Sequence, residues 1–281
     1  MPYSSVENIR QAKVIFGHAS VFFTTTFSSA RAAVFSRGGA QFYSAPGAPV
    51  ALNFPTGGGY LHPQKDCYLA NFHGRIRHDA GAEVEFDNTN DGFNGNLWCD
   101  RLCHQSGLDA TITTAQTTNL PTAALPRYTD GKGVWIAHER CVAVGTTASD
   151  ITVSYTNQDG TSGRTSPTTT FTVTGNVDDS AIGQLYILPL QEGDTGVRSV
   201  QSVTLSGSTG TAGNFGITLL KPLWYTPTES YFSFQSAYPA MFGNAFDPLL
   251  STGVLLPLGH IRNATGSGQG GFCWNMSFME A

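Results

Sequence analysis

Apolar and polar residues alternate along the central part of the chain, from residue 133 to residue 224. The run 151–155 has Ile, Val and Tyr at every second position, and the run 215–219 has Phe, Ile and Leu in the same spacing. Because successive side chains of a strand point to opposite faces of a sheet, this period of two predicts strands with one buried face. Residues 157–160 follow the first run and end in Asp-Gly, so they predict a hairpin turn.

Further short strands are predicted at 134–144, at 185–190 and around 203–205, with a turn at 193–196. The Thr-rich segment 109–131 is predicted to be a loop that crosses a surface. Short strands separated by Gly-rich turns are typical of two packed sheets. The predicted fold class is therefore all-β, a jelly-roll-like β-sandwich with long extended loops or arms and one or two short helices.

Two short helices are predicted outside the alternating pattern. The first begins near Ser4, because Ser4 and Glu7 have the spacing of a capping box. The second covers 95–107 and ends at Gly107, a residue type that favours the conformation found just after a helix. The apolar stripe of this second helix consists of Leu97, Trp98 and Leu102.

Charged residues alternate on both sides of a turn at 78–82, which predicts a hairpin over 72–87. On each strand the charged side chains share one face, and the two faces carry opposite charges. The predicted cross-strand pairs are Arg77 with Glu83, Arg75 with Glu85 and His73 with Asp87. Such pairs stabilise a hairpin by about 0.2–1 kcal/mol each. The same carboxylates are candidates for the acid and base of a glycosidase, but their Arg neighbours favour a structural ion ladder.

Three regions are distinguished along the chain. They are an N-terminal arm and loop region (1–63), a β-sandwich core (64–224) and a C-terminal extension (225–281). The first region contains an apolar stretch, 14–43, that fits strands or an extended arm, and a Pro- and Gly-rich loop, 45–63. The extension is aromatic and rich in Gly and Pro, and we predict that it packs on the core or on neighbouring subunits.

Charged residues make up only 12% of the 281 positions, about half the usual share in a globular domain. The formal net charge is −5, which disfavours nucleic acid or an anionic membrane as a partner. No stretch approaches the roughly 20 apolar residues of a membrane span. Residues 1–13 lack the apolar segment of a signal peptide. We therefore expect synthesis in the cytoplasm, and the final location can still be a particle that leaves the cell.

Five cysteines raise the question of a metal site or a disulfide. Zinc could be bound by Cys99, Cys103, His138 and Cys141, since thiolates and imidazole suit this metal. On a helix the first two would share a face, but on a strand His138 and Cys141 would point to opposite faces. Reduced core thiols are the favoured interpretation, and a disulfide, including one between chains, stays open. Because five is an odd number, at least one thiol is free or pairs with another chain. Cys273 is the first candidate for a link between subunits, because it lies in the C-terminal extension that is assigned to an interface.

The segment 87–92 resembles a calcium loop, but Trp98 stands where an EF-hand has its bidentate Glu. An Asx-rich turn explains the segment as well. His138 and Glu139 begin a zinc-protease motif that stops at Val142. No catalytic, cofactor-binding or metal-binding residue is therefore predicted, no cofactor is expected, and the protein is expected not to be an enzyme.

Three segments carry turn-and-strand signatures that together span about 95–222. They are Asp100-Arg101-Leu102 through Ser106-Gly107-Leu108 to Thr113-Thr114-Ala115-Gln116-Thr117, then Ser154-Tyr155-Thr156-Asn157-Gln158-Asp159-Gly160-Thr161 through Gly163-Arg164-Thr165, and Gly193-Asp194-Thr195-Gly196-Val197-Arg198-Ser199-Val200-Gln201-Ser202-Val203. These segments resemble virion structural proteins encoded by tailed bacteriophages. The resemblance implies a β-sandwich protein that decorates a capsid or sits on a tail, without an active site.

The function expected from this resemblance is that of a non-enzymatic virion protein, a capsid decoration or cement protein that bridges capsid subunits. A surface that is poor in charge and rich in Phe and Tyr fits the cores of protein interfaces. The expected partners are other copies of the chain, with a trimer as the first expectation, and the major capsid protein or other virion proteins. The alternatives are a tail, collar or baseplate component, and a glycan-binding or glycan-cleaving receptor module that uses the aromatic tail.

Overall fold

The computed structural model describes residues 98–121, 123–175 and 185–223 in full, and elsewhere the backbone of individual strands. Within these residues the chain consists of strands, turns and bends, without a helix. No helix that could span a membrane is therefore found in the described part of the chain. The predicted all-β fold class is confirmed.

The described strands are numbered in chain order. Their bounds are β1 Val14–Phe23, β2 Ala30–Val34, β3 Val50–Ala51, β4 Cys67–His78, β5 Val84–Glu85, β6 Gly95–Leu108, β7 Gln116–Leu120, β8 Trp135–Val142, β9 Ser149–Asn157, β10 Arg164–Thr165, β11 Thr169–Thr172, β12 Leu185–Leu188, β13 Val197–Leu205, β14 Asn214–Pro227, β15 Phe234–Ser236, β16 Leu255–Asn263 and β17 Gly270–Glu280.

Two antiparallel sheets pack face to face and enclose the core. The five-stranded sheet has the order β10-β9-β13-β7, with β11 also on β9. The eight-stranded sheet has the order β12-β8-β14-β6-β16-β2, with β3 on β6 and β5 on β16. A single cluster of buried side chains joins the two sheets and includes Tyr155, Val200, Phe171, Phe215 and Ile217. This arrangement is a β-sandwich, as predicted. A further four-stranded sheet has the order β1-β17-β4-β15.

The hairpin predicted at 157–160 is confirmed. β9 pairs with β10, with Tyr155 opposite Arg164. The amide of Gly160 donates to the carbonyl oxygen of Asn157 at 3.0 Å and closes the turn. Gly160 has a φ of 84°, a conformation in which most other residues are strained, so the Asp-Gly signal has a direct structural cause.

The helix predicted over 95–107 is wrong, because these residues form most of β6. This strand lies between β14 and β16 and has buried side chains on both of its faces. A strand buried on both faces lacks a regular alternation of apolar and polar residues, so periodicity alone does not identify it. The register to β14 shifts between Leu219 and Leu220 and leaves Leu102 as an extra, bulged residue. As a result, Leu102 and Cys103 both face the core.

The hairpin predicted over 72–87 is also wrong. β4 pairs with β17 and β15, and Arg75 lies opposite Cys273 in the first of these pairings. β5 pairs with β16, which places Glu85 opposite Arg262. Both strands thus have partners far along the chain, which local alternation of charge does not indicate. This pairing rules out the predicted charge ladder, which required β4 and β5 to be neighbours. Its pairs were Arg77 with Glu83, Arg75 with Glu85 and His73 with Asp87.

Other predictions have mixed outcomes. The stretch 14–43 contains β1 and β2, so its strands are confirmed. The segment 109–131 is not one loop, because β7 lies inside it and pairs with β13. The helix predicted to begin near Ser4 lies outside the described residues.

Candidate functional site

The four residues considered for zinc do not come together. Cys99 packs with Leu220 on one face of the eight-stranded sheet, whereas Cys103 belongs to the core on the other face. His138 packs on the ring of Phe171, with 5.1 Å between ring centroids. Among the residues that the structure describes, no three His, Cys, Asp or Glu side chains group as a metal ion requires.

The thiols that the structure describes are buried and protonated. Cys99, Cys103 and Cys141 are free and buried. Burial is the main cause that raises the pKa of Cys103 and of Cys141 to about 12, and burial also raises the pKa of Cys99. Metals are bound by the thiolate form, so these three residues fit core packing better than ligation. The prediction of reduced core thiols is confirmed for these three.

The remaining candidates of the sequence lie outside what the structure describes in full. The calcium-like segment 87–92 and Glu83 are not among the described residues. Glu85 lies in β5 and Cys273 in β17, and only the backbone of these strands is described. The acid–base role of the carboxylates and the link through Cys273 stay predictions.

A buried polar cluster occupies the face of the eight-stranded sheet that points away from the core. Arg101 and His104 come from β6, Glu139 from β8 and Thr218 from β14, and each is at most 1% exposed. Nη2 of Arg101 donates to Oε2 of Glu139 at 2.5 Å and to Oγ1 of Thr218 at 3.2 Å. Oγ1 of Thr218 also lies 2.6 Å from Nδ1 of His104. The cluster therefore joins three neighbouring strands through side chains.

Thr218, His104 and Glu139 have the residue types of a nucleophile, a base and an acid. In a catalytic triad the imidazole uses its two nitrogens for its two partners. Here the single atom Nδ1 of His104 faces both Thr218, at 2.6 Å, and Glu139, at 3.5 Å. Because the side chains are almost completely buried, a substrate does not reach Oγ1 of Thr218. The cluster is thus structural rather than catalytic.

The charges within this cluster follow from burial. Burial lowers the pKa of His104 well below its usual range, and the charge of Arg101 lowers it further, so the imidazole is neutral. Burial raises the pKa of Glu139, whereas Arg101 and the hydrogen bond from Thr218 act against that rise. The ion pair of this cluster is defined by its geometry and joins Arg101 to Glu139. A pair of this kind adds little net stability but is costly to break, because the remaining charge stays buried.

A second buried ion pair fixes a loop to β6. Nε of Arg127 donates to Oδ2 of Asp100 at 2.7 Å, and Nη2 donates to Oδ1 at 2.8 Å. Nη2 also donates to the carbonyl oxygen of Arg101 at 3.1 Å. The planar guanidinium and the carboxylate match each other in this two-bond geometry, which makes the pair stronger than a single contact. Arg127 thereby anchors the loop between β7 and β8.

The loops of the sandwich collect at its two ends, because the strands of the core are antiparallel. We call one end the charged end, and it comprises loops 121–134, 158–163 and 189–196. We call the other the neutral end, and it comprises loops 109–115, 143–148 and 206–213 together with 173–175 after β11.

At the charged end, Asp194 is the centre of a hydrogen-bonded cluster. Its carboxylate accepts from Oη of Tyr155 at 2.5 Å, from Nδ2 of Asn157 at 2.8 Å and from Nε of Arg164 at 2.9 Å. Burial raises the pKa of Asp194, but the hydrogen bonds from Arg164, Tyr155 and Asn157 together outweigh it and bring the pKa to about 2. Burial and the bond to Asp194 raise the pKa of Tyr155 to about 12. The ionised carboxylate thus holds loop 189–196 against the β9–β10 hairpin.

The backbones of two charged-end loops cross at Gly131 and Gly196. The amide of Val197 donates to the carbonyl oxygen of Gly131 at 2.9 Å. A Cβ at Gly196 would lie 2.0 Å from that same oxygen, so only glycine fits. Oε1 of Gln158 accepts from the amides of Thr195 and Gly196 at 3.0 and 3.1 Å and ties the hairpin turn into the crossing.

At the neutral end, backbone bonds join the loops together with neutral hydroxyl side chains such as those of Thr209 and Thr172. The amide of Ala110 donates to the carbonyl oxygen of Ala212 at 2.8 Å, and the amide of Gly145 to that of Thr211 at 3.3 Å. Two further amides, of Thr147 and Gly175, donate across to Thr209 and Thr146. All four loop segments are therefore linked to one another through the main chain.

The buried clusters could not be located from local sequence patterns. Arg101 and Glu139 stand within apolar strands, and that position is the one signal in the sequence that they are buried. Their pairing depends on which strands are neighbours, and β6 was predicted to be a helix. Taken together, the fold and these clusters define an all-β sandwich protein in which the described buried charges fasten strands and loops to each other.

No protein-family model matches the chain, and no curated protein matches it either. Among solved structures, the chain is similar to a chain in the structure of infectious bursal disease virus, Gx strain. The sequence identity is 11% and the TM-score is 0.21, over 96% of this chain and 80% of that one. For the VP2 subviral particle of infectious bursal disease virus, the identity is 13% and the TM-score 0.23, over 100% of this chain and 82% of that one. Likeness at these TM-scores carries no argument about this chain.

Proposed function

We propose that this chain is a non-enzymatic structural protein of a virion. The observation that carries the proposal is the internal use of its buried charges. Arg101 pairs with Glu139 and Arg127 with Asp100, and these charges join strands and loops where a substrate does not reach them. Such a construction suits a rigid building block.

The segments that resemble phage structural proteins support this proposal by their contacts. Tyr155, Asn157 and Arg164 belong to the second segment, and Asp194 belongs to the third. The carboxylate of Asp194 binds all three of these side chains. The second and third of these sequence segments are thus joined by hydrogen bonds in the structure.

The finer role in the proposal is that of a decoration or cement protein on the capsid of a tailed bacteriophage. Its partners would be further copies of the chain and the major capsid protein, and its location the virion. The division into an arm and loop region (1–63), a core (64–224) and a C-terminal extension (225–281) belongs to the proposal, with the two outer regions contacting neighbours. A tail, collar or baseplate position is the alternative role, and a glycan-binding or glycan-cleaving receptor module is the alternative of another class.

Quantitative mass spectrometry of purified particles tests the proposal, with the major capsid protein as internal standard. Hundreds of copies per particle would support a capsid decoration protein, and a dozen or fewer would place the chain on the tail. Absence of the chain from purified particles would contradict the proposed function. A panel of host glycans, tested for binding and cleavage by the isolated chain, separates the receptor module from both structural roles.

A further inference from the structure

Three large hydrophobic side chains are exposed in the fully described part of the chain, and all three lie at the neutral end. Ile112 is 40% exposed, Val142 36% and Val173 42%. They belong to different segments, one to loop 109–115, one to the end of β8 and one to the residues after β11. A single exposed hydrophobic residue is ordinary, but a group of them at one end of a fold is typical of a contact surface.

The neutral end is also nearly free of charge. Its segments contain one charged residue, Asp109, and the rest are mostly Thr, Ser, Gly and Ala. Oδ1 of Asp109 accepts from the amide and the hydroxyl of Thr111 at 2.7 and 2.6 Å, so that oxygen is used within the loop. Interface cores are depleted in charged residues, and this end has that composition.

The surface at this end is held in one shape before any partner binds. The main-chain bonds between Ala110 and Ala212 and between Gly145 and Thr211 join neighbouring loops. A Cβ at Gly145 would lie 1.9 Å from the carbonyl oxygen of Thr209, which shows how closely two of the loops approach. A preorganised surface loses less conformational entropy on association than a flexible one.

We propose that the neutral end is the contact surface for a second copy of this chain. The chain has a net charge of −5, so two copies repel each other on average. A contact through the charged end would remove from water the exposed Asp130, Asp159 and Glu192 together with the exposed Lys132, which lies 3.7 Å from Asp130. A contact through the neutral end leaves these charges in water and buries Ile112, Val142 and Val173. The inference rests on the proposed structural role and names the partner and the surface.

Sedimentation velocity of the full chain over a concentration series tests the inference. The test variant combines Val142→Asp with Val173→Asp, and the matched control combines Ser162→Asp with Gln191→Asp at exposed positions of the charged end. We expect the wild-type chain and the control to associate alike. The test variant should raise the dissociation constant at least tenfold, because it places two like charges of each copy in the contact.

Thermal melting of each variant identifies a loss of association that is caused by unfolding. If the Asp variant melts early, Val142→Thr with Val173→Thr keeps the shape and replaces one methyl group of each side chain by a hydroxyl, and association should weaken in the same direction. A wild-type chain that is monomeric throughout, or neutral-end variants that associate like the wild type, would overturn the inference. If that happens and purified particles still contain the chain, the proposed function is retained and only the contact surface is wrong. A chain that self-associates through the neutral end but is absent from particles would instead support the contact and contradict the proposed function.

Discussion

The loops at both ends of the sandwich are joined by main-chain hydrogen bonds, and among the described residues only the charged end adds ion pairs. At the charged end, side chains fasten the loops: Asp194 binds three partners, Gln158 accepts two backbone amides, and Arg127 binds Asp100. At the neutral end, the loops are joined mainly through main-chain amides and carbonyls. The charged end also exposes charged residues such as Asp130, Lys132 and Glu192. The segments of the neutral end contain one charged residue, Asp109, and a surface so poor in charge is typical of the core of a protein interface.

The two ends should differ most in the loss of stability that follows when one aspartate at each end is replaced by asparagine. Asp100→Asn leaves Arg127 buried without its counter-charge and should lower the free energy of unfolding by about 3–5 kcal/mol. The matched variant at the neutral end is Asp109→Asn, which weakens only the bonds to Thr111 and should cost about 0.5–1.5 kcal/mol. Urea denaturation measures both. Equal losses in the two variants would contradict the claim that ionic fastening is confined to one end.

At both ends, a glycine lies so close to a neighbouring backbone that replacing it by alanine should lower the free energy of unfolding by a similar amount. Gly196→Ala at the charged end and Gly145→Ala at the neutral end each place a Cβ against a carbonyl oxygen. We expect a loss of about 3 kcal/mol in each case, since the backbone has to shift. Gly163→Ala is the control, because a Cβ there meets nothing within 4 Å and the φ of 72° adds only about 1 kcal/mol of strain. Thermal or urea unfolding measures the three variants. If Gly163→Ala lowered the free energy of unfolding as much as the other two variants do, the close backbone approach would be refuted.

Acid should loosen the charged end before the neutral end. The pKa of Asp194 is lowered to about 2 in the folded chain, from a usual value near 3.8. Its bonds therefore stabilise the fold above the usual value, and this contribution is lost as the pH falls from about 4 towards 2. Hydrogen exchange across this interval should rise in loop 189–196 more than in loop 206–213. In Asp194→Asn the loop should already exchange faster at neutral pH and show a weaker pH dependence between these values, and a profile unchanged from the wild type would contradict the assignment.

The smallest expected effect on stability is at the exposed hydrophobic residues of the neutral end. Val173→Thr keeps the shape of the side chain at a position that is 42% exposed. Its free energy of unfolding should stay within about 0.5 kcal/mol of the wild type. The urea midpoint, measured at a concentration where the chain is dissociated, checks this. A large loss would show that Val173 serves the fold rather than a contact.

The strands of the sandwich core could be predicted from the sequence where one face is buried and one is solvated. β9 alternates between buried and half-buried residues along its whole length, and the glycine turn that follows it has a positive φ. Alternation of this kind is a local signal, and so is an Asp-Gly turn. Both therefore led to the correct element at the correct place.

The central strand and the buried ion pairs could not be predicted in this way. β6 is covered on both faces and carries a bulge at Leu102, so its apolar residues follow neither period. The pairing of β4 with β17 spans most of the chain, and no local pattern contains that information. The partnership of Arg101 with Glu139 depends on strand order, since their strands are both neighbours of β14.

The contact between copies is tested most directly by a structure of the assembled oligomer or particle, determined by electron cryomicroscopy. We expect Ile112, Val142 and Val173 to be buried against a second copy of the chain. We also expect Asp130 and Glu192 at the charged end to face away from that contact. A map in which the neutral end faces solvent and the charged end forms the contact between copies would contradict the proposed surface.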